Sequence, residues 1–147
     1  MRLFAKSRDR KINRMSALFS KYEPYVYALA RIVAGALFAC HGAQKLFGVL
    51  GGQSELNDPG GLIGGIIEFG GGVLVALGLF TRVAAFLASG EMAVAYFKAH
   101  ASRGFWPIMN RGELAVFYCF VFLYVCFRGY GVLGLDSLWG KRRVAPV

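Results

Sequence analysis

The amino-acid sequence predicts an all-α integral membrane protein built as a four-helix bundle, and three observations support this prediction. Hydrophobic residues make up 56% of the 147 residues, and the mean hydropathy is +0.50; a soluble domain of this length cannot bury so much apolar surface. Charged residues make up 17% of the chain, compared with roughly 25% in soluble proteins. The apolar residues fall into four runs separated by short polar or glycine-rich segments.

Residues 1–24 form a basic leader that we expect to lie in the cytoplasm. Seven of the 17 Lys and Arg residues precede Tyr25. Apolar residues among them favour a mildly amphipathic helix on the inner membrane surface. Pro24 favours a fresh helix start. The apolar run that follows is too long for the core of a cleaved signal peptide, which indicates an uncleaved anchor.

The four-span domain is expected over residues 25–130, and a short cytoplasmic tail is expected over residues 131–147. The predicted spans cover residues 25–47, 62–80, 83–100 and 113–127. At about 1.5 Å per residue the first span is roughly 35 Å long, enough to cross a bilayer with some tilt. Six glycines in the second span predict close backbone contact with a neighbouring helix and a central place in the bundle.

The distribution of cations predicts a multi-pass protein with both chain ends in the cytoplasm. Basic residues concentrate in the leader and at Lys141, Arg142 and Arg143, whereas the loop after the first span has no Lys or Arg. This is the positive-inside pattern of membrane proteins. Binding of the leader to anionic lipid accounts for the net charge of +9, so we expect no nucleic-acid partner.

Polar residues within the spans are the candidate functional site, because charge inside a membrane is costly and usually marks function or a paired network. With the predicted topology, these residues lie in the outer half of the bundle. The candidates for ligand binding or proton relay are His41, Gln44, Lys45, Glu68, Glu91, Lys98, His100 and Glu113. Among them, His41 and Lys45 are four residues apart and share a helix face.

Helical spacing separates the polar residues of the third span. Lys98 follows Glu91 by seven residues and shares its face, whereas His100 follows by nine and points in nearly the opposite direction on a regular helix. His100 is therefore the doubtful member of the site. Arg31 stands apart near the inner surface, where we expect its long side chain to snorkel toward the headgroups.

Two interpretations of these polar residues stay open. In one, they form a buried network of ion pairs that fixes the register of the helices. In the other, they line a polar pocket that binds a small amphipathic ligand or relays protons. The second is favoured, because histidine together with several carboxylates at one depth exceeds what register alone requires.

Known cofactor motifs give no assignment. The sequence has no HExxH and no CxxC, so no metal site is predicted and the catalytic residues stay unknown. Haem held by His41 and His100 is disfavoured, because two histidines in a bundle are more often hydrogen-bonded than haem-bound. The run Gly129-x-Gly131-x-x-Gly134 matches the dinucleotide fingerprint by its letters alone, since no strand precedes it.

Four segments occur in a distinctive order along the chain. They are HGAQKLFG from His41, EFGGGVLVALGLFTR from Glu68, EMAVAYFKAH from Glu91, and GFWPIMNRGELA followed by GYGVLGLDSLWG. Together, over about residues 27–139, they resemble the DoxX family of bacterial membrane proteins. The resemblance implies a four-helix bundle in the bacterial inner (plasma) membrane.

The resemblance also implies a link to redox chemistry. The family takes its name from a quinone-linked oxidoreductase complex, and some bacterial members are reported as membrane partners of redox-defence proteins. It therefore implies a membrane component of such a complex, with protein partners and with quinone as the candidate cofactor. The family's motif positions fall on His41, Gln44, Lys45, Glu68 and Glu113, with His100 at the polar end of the third span.

Whether the chain is itself an enzyme stays open at the level of sequence. The alternative function is a non-enzymatic membrane scaffold or small-molecule carrier, in which the intramembrane charges are structural. A proton-coupled transporter is disfavoured, because four short spans leave little room for alternating access unless the protein oligomerises.

Overall fold

The computed structural model describes the backbone of residues 2–138 and the side chains from Met15 onward. Over these residues the structure is all-helical, without strands, which confirms the predicted all-α class. We number the helices α1 (Arg2–Phe47), α2 (Pro59–Leu77), α3 (Thr81–Ala95), α4 (Pro107–Asn110) and α5 (Glu113–Arg128). A final 3₁₀ turn covers Leu135–Leu138. The cations at 141–143 and most of the predicted tail lie outside the described residues.

Two of these helices are long and apolar enough to cross a membrane. They are the Met15–Phe47 part of α1 and the whole of α2, Pro59–Leu77. With 15 and 16 residues, α3 and α5 are shorter than the about 20 residues of a typical span. The helical path of α3 continues for five more residues through a π turn, Tyr96–His100. The described residues therefore contain two candidate spans by length and composition, and a membrane bundle of four spans stays a prediction.

The helix α1 runs through Pro24 without interruption, so the helix start expected at this residue is wrong. Proline has no N–H, and it leaves the carbonyl four residues earlier, that of Ser20, without its helical donor. Ser20 is exposed, so this carbonyl is open to other donors. The basic leader is thus one helix with the first apolar run, while its predicted amphipathic surface depends largely on side chains outside the described ones.

Glycines bring α1 and α2 into backbone contact. A Cβ added at Gly35 would lie 2.6 Å from the backbone nitrogen of Ala76, and one added at Gly72 would lie 2.5 Å from that of Ala39. No real side chain fits at these distances, so only glycine permits this approach. The close backbone contact predicted from the glycine-rich second span is therefore confirmed.

The second half of the bundle is α3 packed along α5. The hydroxyl of Ser89 on α3 donates to the carbonyl oxygen of Cys119 on α5 over 2.8 Å. The core between the two halves contains the fully buried side chains of Phe38, Val75 and Phe122. By contrast, α1 and α5 contact each other only sparsely, and a groove lies between them.

Two π-helical turns interrupt the regular helices. One covers Ile67–Gly71 within α2, and the other covers Tyr96–His100 after α3. A π turn adds one residue to a helical turn and rotates every residue that follows it, and such turns are frequent at functional sites. Both turns carry ionisable side chains that the sequence marks as candidates.

Candidate functional site

Three charged side chains converge at the end of the bundle where α1 finishes; we call Lys45, Glu68 and Glu91 the carboxylate cluster. The ammonium of Lys45 on α1 donates to Glu68 Oε1 on α2 over 2.8 Å. The Glu68 side chain is 4% exposed and that of Lys45 is 28% exposed. The pair therefore bridges two helices, with its carboxylate inside the bundle and its ammonium toward the edge.

Gly64 of α2 makes room for the third member. A Cβ added at Gly64 would lie 3.4 Å from Glu91 Oε1 and 3.5 Å from Lys45 Nζ. The carboxylate of α3 and the ammonium of α1 thus face the same glycine. The lysine forms its ion pair with Glu68, and no ion pair within 4.0 Å joins it to Glu91 among the described residues.

Two carboxylate oxygens of the cluster are buried without a donor. Neither Glu68 Oε2 nor Glu91 Oε2 has a hydrogen-bond partner among the described side chains and backbone. A buried polar atom left without a partner costs about 1–3 kcal/mol, and more when the group is charged. One ammonium for two carboxylates leaves the cluster short of positive charge, so it is suited to take up a proton or a hydrogen-bond donor.

His41 borders the carboxylate cluster. It is partly buried, it lies close enough to Glu68 to interact with it electrostatically, and its ring meets Tyr118 edge-on with centroids 6.2 Å apart. Tyr118 is a buried neighbour that the sequence does not single out, because a tyrosine in an apolar run carries no signal of charge. The imidazole, the ammonium and the hydroxyl of Tyr118 are thus three groups near Glu68 that can donate to a ligand.

Gln44 is directed to the loop after α1. Its Nε2 donates to the carbonyl oxygen of Leu50 over 3.0 Å. In the same region the N–H of Glu55 donates to the carbonyl oxygen of Lys45 over 2.8 Å. The contacts of Gln44 therefore hold the loop that follows α1, and the structure does not place Gln44 in the carboxylate cluster.

The π turn after α3 separates Lys98 and His100 from Glu91. Lys98 is exposed instead of sharing the face of Glu91, because the extra residue of the π turn rotates it away from its place on a regular helix. His100 stacks on Tyr96 with ring centroids 6.4 Å apart. Its Nδ1 lies 3.1 Å from the carbonyl oxygen of Asn110, which places the proton of this bond on Nδ1.

Asn110 organises the loop between α3 and α5. It is 1% exposed, its Nδ2 donates to the carbonyl oxygen of Gly104 over 2.7 Å, and its Oδ1 accepts from the N–H of Gly112 over 2.8 Å.

Glu113 follows in the first turn of α5 and is exposed. The eight candidate residues thus divide: three form the cluster, His41 borders it, and Gln44, Lys98, His100 and Glu113 lie elsewhere. Their roles as ligand-binding or relay residues stay predictions.

Arg31 is buried, so the expectation that it snorkels is wrong. Its side chain is 1% exposed, NH1 donates to the carbonyl oxygens of Val75 and, over 2.9 Å, Ala76, and NH2 donates to that of Leu133 over 3.2 Å. The last carbonyls of a helix have no donor within the helix. Those at the end of α2 give the guanidinium a better partner than headgroups outside the bundle.

Other charged side chains near the end of α2 also bind helix termini. Asp136 accepts from the N–H of Phe80 over 2.7 Å and from the hydroxyl of Thr81 over 2.9 Å. Arg82 donates to the carbonyl oxygen of Phe127 over 2.8 Å. Both contacts match charge to the helix dipole, with the acid at the start of α3 and the cation at the end of α5.

We call Arg31, Arg82, Arg128 and Asp136 the arginine end of the bundle. The Asp136 contact fastens the described part of the tail to the turn between α2 and α3. The sequence does not reveal it, because the aspartate and the amides that it binds are 55 and 56 residues apart.

The groove between α1 and α5 has a volume of about 640 Å³ and contains no member of the carboxylate cluster. Its wall is mainly aliphatic and aromatic, with Phe117, Phe120 and Val121 among the lining residues. It therefore differs from the polar pocket expected in the outer half of the bundle. Elsewhere in the described chain, no group of three or more His, Cys, Asp and Glu side chains is placed to hold a metal ion.

Comparison with known proteins identifies the family. The DoxX family profile matches residues 26–101, just over half of the chain. An uncharacterized protein of Haemophilus influenzae is 46% identical over 129 residues, and the alignment covers 83% of this chain and 96% of that protein. No solved structure matches the chain. The resemblance found in the sequence motifs is thus confirmed, and the chain belongs to the DoxX family of membrane proteins.

Proposed function

We propose that this protein is a membrane component of a redox system and that its carboxylate cluster binds a quinone and exchanges protons with it. The observation that carries the proposal is the imbalance of the cluster: its one lysine pairs with Glu68, Glu91 has no ion pair among the described residues, and one buried oxygen of each carboxylate has no donor. A purely structural ion pair needs only Lys45 and Glu68. Glu91 is the additional group, and a site that handles protons explains its presence.

The chemistry of a quinone suits these groups. Its carbonyl oxygens accept hydrogen bonds, and Lys45 and His41 are two of the donors near Glu68. The hydroxyls of the reduced quinol are donors, and Glu68 Oε2 and Glu91 Oε2 are acceptors without partners. Reduction of a quinone to a quinol takes up two electrons and two protons. In this proposal the carboxylates pass the protons, and a partner protein in the complex supplies the electrons.

The proposed setting is the bacterial plasma membrane, with α1, α2, α3 with its π turn, and α5 as four spans. Both chain ends then lie in the cytoplasm, and the carboxylate cluster lies toward the outer side. The basic leader and the cation-free loop after α1 support this orientation. The leader contacts anionic lipid of the inner leaflet in this arrangement.

Quinone content of purified protein tests the proposal. We would extract detergent-purified wild type, Glu91→Gln and Glu113→Gln with organic solvent and measure quinone per protein. Glu91→Gln removes the acidic group at nearly constant shape, and Glu113→Gln is the same change at an exposed site. We expect quinone in the wild type and in Glu113→Gln and its loss from Glu91→Gln. Quinone that is absent from wild type, or equal in both variants, would contradict the proposal.

A non-enzymatic scaffold or carrier is the second candidate, and a specific observation favours it. The Lys45–Glu68 pair joins α1 to α2, the two helices that glycines already bring into contact. If the charges are structural, Lys45→Met and Glu91→Gln each lower the melting temperature and leave ligand content unchanged, because each removes one member of the network and leaves the others without a partner. Deleting residues 2–20 then tests whether the leader docks a partner. Loss of partner capture with an intact bundle would support docking, and unchanged capture would contradict it.

A further inference from the structure

We propose that the groove between α1 and α5 binds one anionic phospholipid, with its phosphate near Arg128 and Arg31 and one acyl chain along α5. This site is separate from the carboxylate cluster and does not depend on the proposed redox function. Three features of the described residues support it: the dimensions of the groove, a buried donor in its wall, and an exposed cation at the same end.

The groove has the length and the lining of an acyl-chain site. It extends along α5 from Glu113 to Val125, which is about 18 Å at 1.5 Å per residue. One leaflet of the hydrocarbon core is about 15 Å thick. The volume of about 640 Å³ falls within the roughly 300–1,000 Å³ of small-molecule sites. Phe117, Phe120 and Val121 supply an apolar wall over the middle of this length.

Arg31 provides a buried donor in the wall of the groove. The residue lines the groove and is 1% exposed. Its NH1 and NH2 atoms are occupied by backbone carbonyls, but Nε has no acceptor among the described residues. Buried N–H groups nearly always find an acceptor in folded proteins. A phosphate or ester oxygen of a lipid seated in the groove would supply one.

Arg128 provides the charge that selects an anionic headgroup. Its guanidinium lies 4.6 Å from the ring centroid of Tyr27 and 6.0 Å from that of Tyr124, and both tyrosines line the groove. The Arg128 side chain is 32% exposed; its NH2 pairs with Glu23, and its NH1 donates to the hydroxyl of Tyr124 over 3.1 Å. A guanidinium has five N–H donors, so these two contacts leave N–H groups for a phosphate oxygen. The charge near the groove thus favours a lipid of net negative charge over a zwitterionic lipid, in which a choline cation neutralises the phosphate.

Native mass spectrometry of the full chain, titrated with phosphatidylglycerol or phosphatidylcholine, tests the proposal with three variants. Ala30→Trp fills the groove from α1, where Ala30 is exposed and lines it. Ala36→Trp is the matched control, an exposed α1 alanine outside the groove lining. Arg128→Gln removes the charge at the mouth and tests the headgroup independently of the chain.

We expect one tightly bound phosphatidylglycerol in wild type and in Ala36→Trp, and binding about tenfold weaker in Ala30→Trp, which corresponds to about 1.4 kcal/mol. Arg128→Gln should lower the preference for phosphatidylglycerol over phosphatidylcholine about tenfold. Equal binding by the two tryptophan variants would overturn the proposal. An unchanged preference for phosphatidylglycerol over phosphatidylcholine in Arg128→Gln would overturn it as well. That result would indicate that the groove binds an uncharged chain, such as the tail of a quinone. A dimer that Ala30→Trp disrupts, without bound lipid, would show that a second copy fills the groove.

Discussion

The two ends of the bundle use charge in different ways. At the arginine end, Arg31 and Arg82 donate to carbonyls that end helices, and Asp136 accepts from amides that begin one. At the carboxylate cluster, the one ammonium pairs with Glu68 and leaves Glu91 without an ion pair among the described residues, and two buried oxygens have no donor. Charge at the arginine end is thus matched to the backbone that it stabilises, whereas charge at the cluster exceeds what holding the helices requires.

This contrast predicts opposite responses to mutation at the two ends. Removing charge at the arginine end should destabilise the fold, because backbone groups lose their partners. Removing Glu91, the carboxylate of the cluster that has no ion pair among the described residues, should cost little stability and should affect ligand binding instead. The following predictions run from the largest expected effect to the smallest.

Replacing Arg31 by Met should have the largest effect on stability. Three hydrogen bonds to carbonyl oxygens would be lost, and bonds from charged donors contribute about 1.5–3 kcal/mol each. Because contributions from bonds of one side chain do not add in full, we expect a loss of about 3–5 kcal/mol, seen as a lower unfolding midpoint in detergent by circular dichroism. A midpoint close to that of wild type would show that the arginine end does not hold the bundle.

A methyl group at Gly72 should be the next most harmful change. The added Cβ would lie 2.5 Å from the backbone of Ala39, so α1 and α2 must separate, and such overpacking costs about 1–3 kcal/mol. Gly90→Ala is the matched control, because nothing lies within 4 Å of a Cβ at Gly90; it should leave the midpoint equal or slightly raised. Similar midpoints for both alanine variants would argue against the backbone contact.

Asp136→Ala should have a smaller effect, limited to one helix terminus. The start of α3 would lose the acceptor for two amides and one hydroxyl, and removing such a cap costs about 0.5–2 kcal/mol. Limited proteolysis should then cut the segment after Gly129 faster than in wild type. An unchanged cleavage rate would mean that other contacts hold the tail.

Glu91→Gln should have the smallest effect on stability, and its sign sharpens the contrast. The change removes a carboxylate that has one buried oxygen without a donor. We therefore expect the free energy of unfolding to stay unchanged or to rise by up to about 1 kcal/mol. Lys45→Met should lower the midpoint, because it leaves Glu68 without its partner. Equal destabilisation by both variants would assign the cluster a structural role.

The sequence reveals the cluster because charge is conspicuous in an apolar run. Lys45, Glu68 and Glu91 each interrupt such a run, and depth along the predicted spans places them together. Depth also groups Gln44, Lys98 and Glu113 with them, although these residues lie outside the cluster. Asn110 and Asp136 are not apparent in the same way, because a polar residue in a polar segment looks like a solvated one. Their roles depend on partners that only the folded chain brings near.

Register and helix ends were harder to predict, for identifiable reasons. Regular helical spacing predicts Lys98 on the face of Glu91, but Lys98 lies within the π turn Tyr96–His100 that follows α3. The sequence carries no signal of such a turn. Pro24 predicts a helix start because proline is favoured at the first position of a helix, but the residue lies inside α1. The buried position of Arg31 depends on the carbonyls of α2, which the sequence of α1 does not reveal.

Infrared difference spectroscopy of the carboxyl groups tests the central claim most directly, namely that the carboxylate cluster handles protons for a ligand. Spectra of wild type, Glu91→Gln and Glu113→Gln would be recorded with and without a short-chain quinone analogue. The account predicts a carboxyl band that changes when the analogue binds to wild type or Glu113→Gln, and no such change in Glu91→Gln. Binding without any carboxyl change, or the same change in all three proteins, would contradict it.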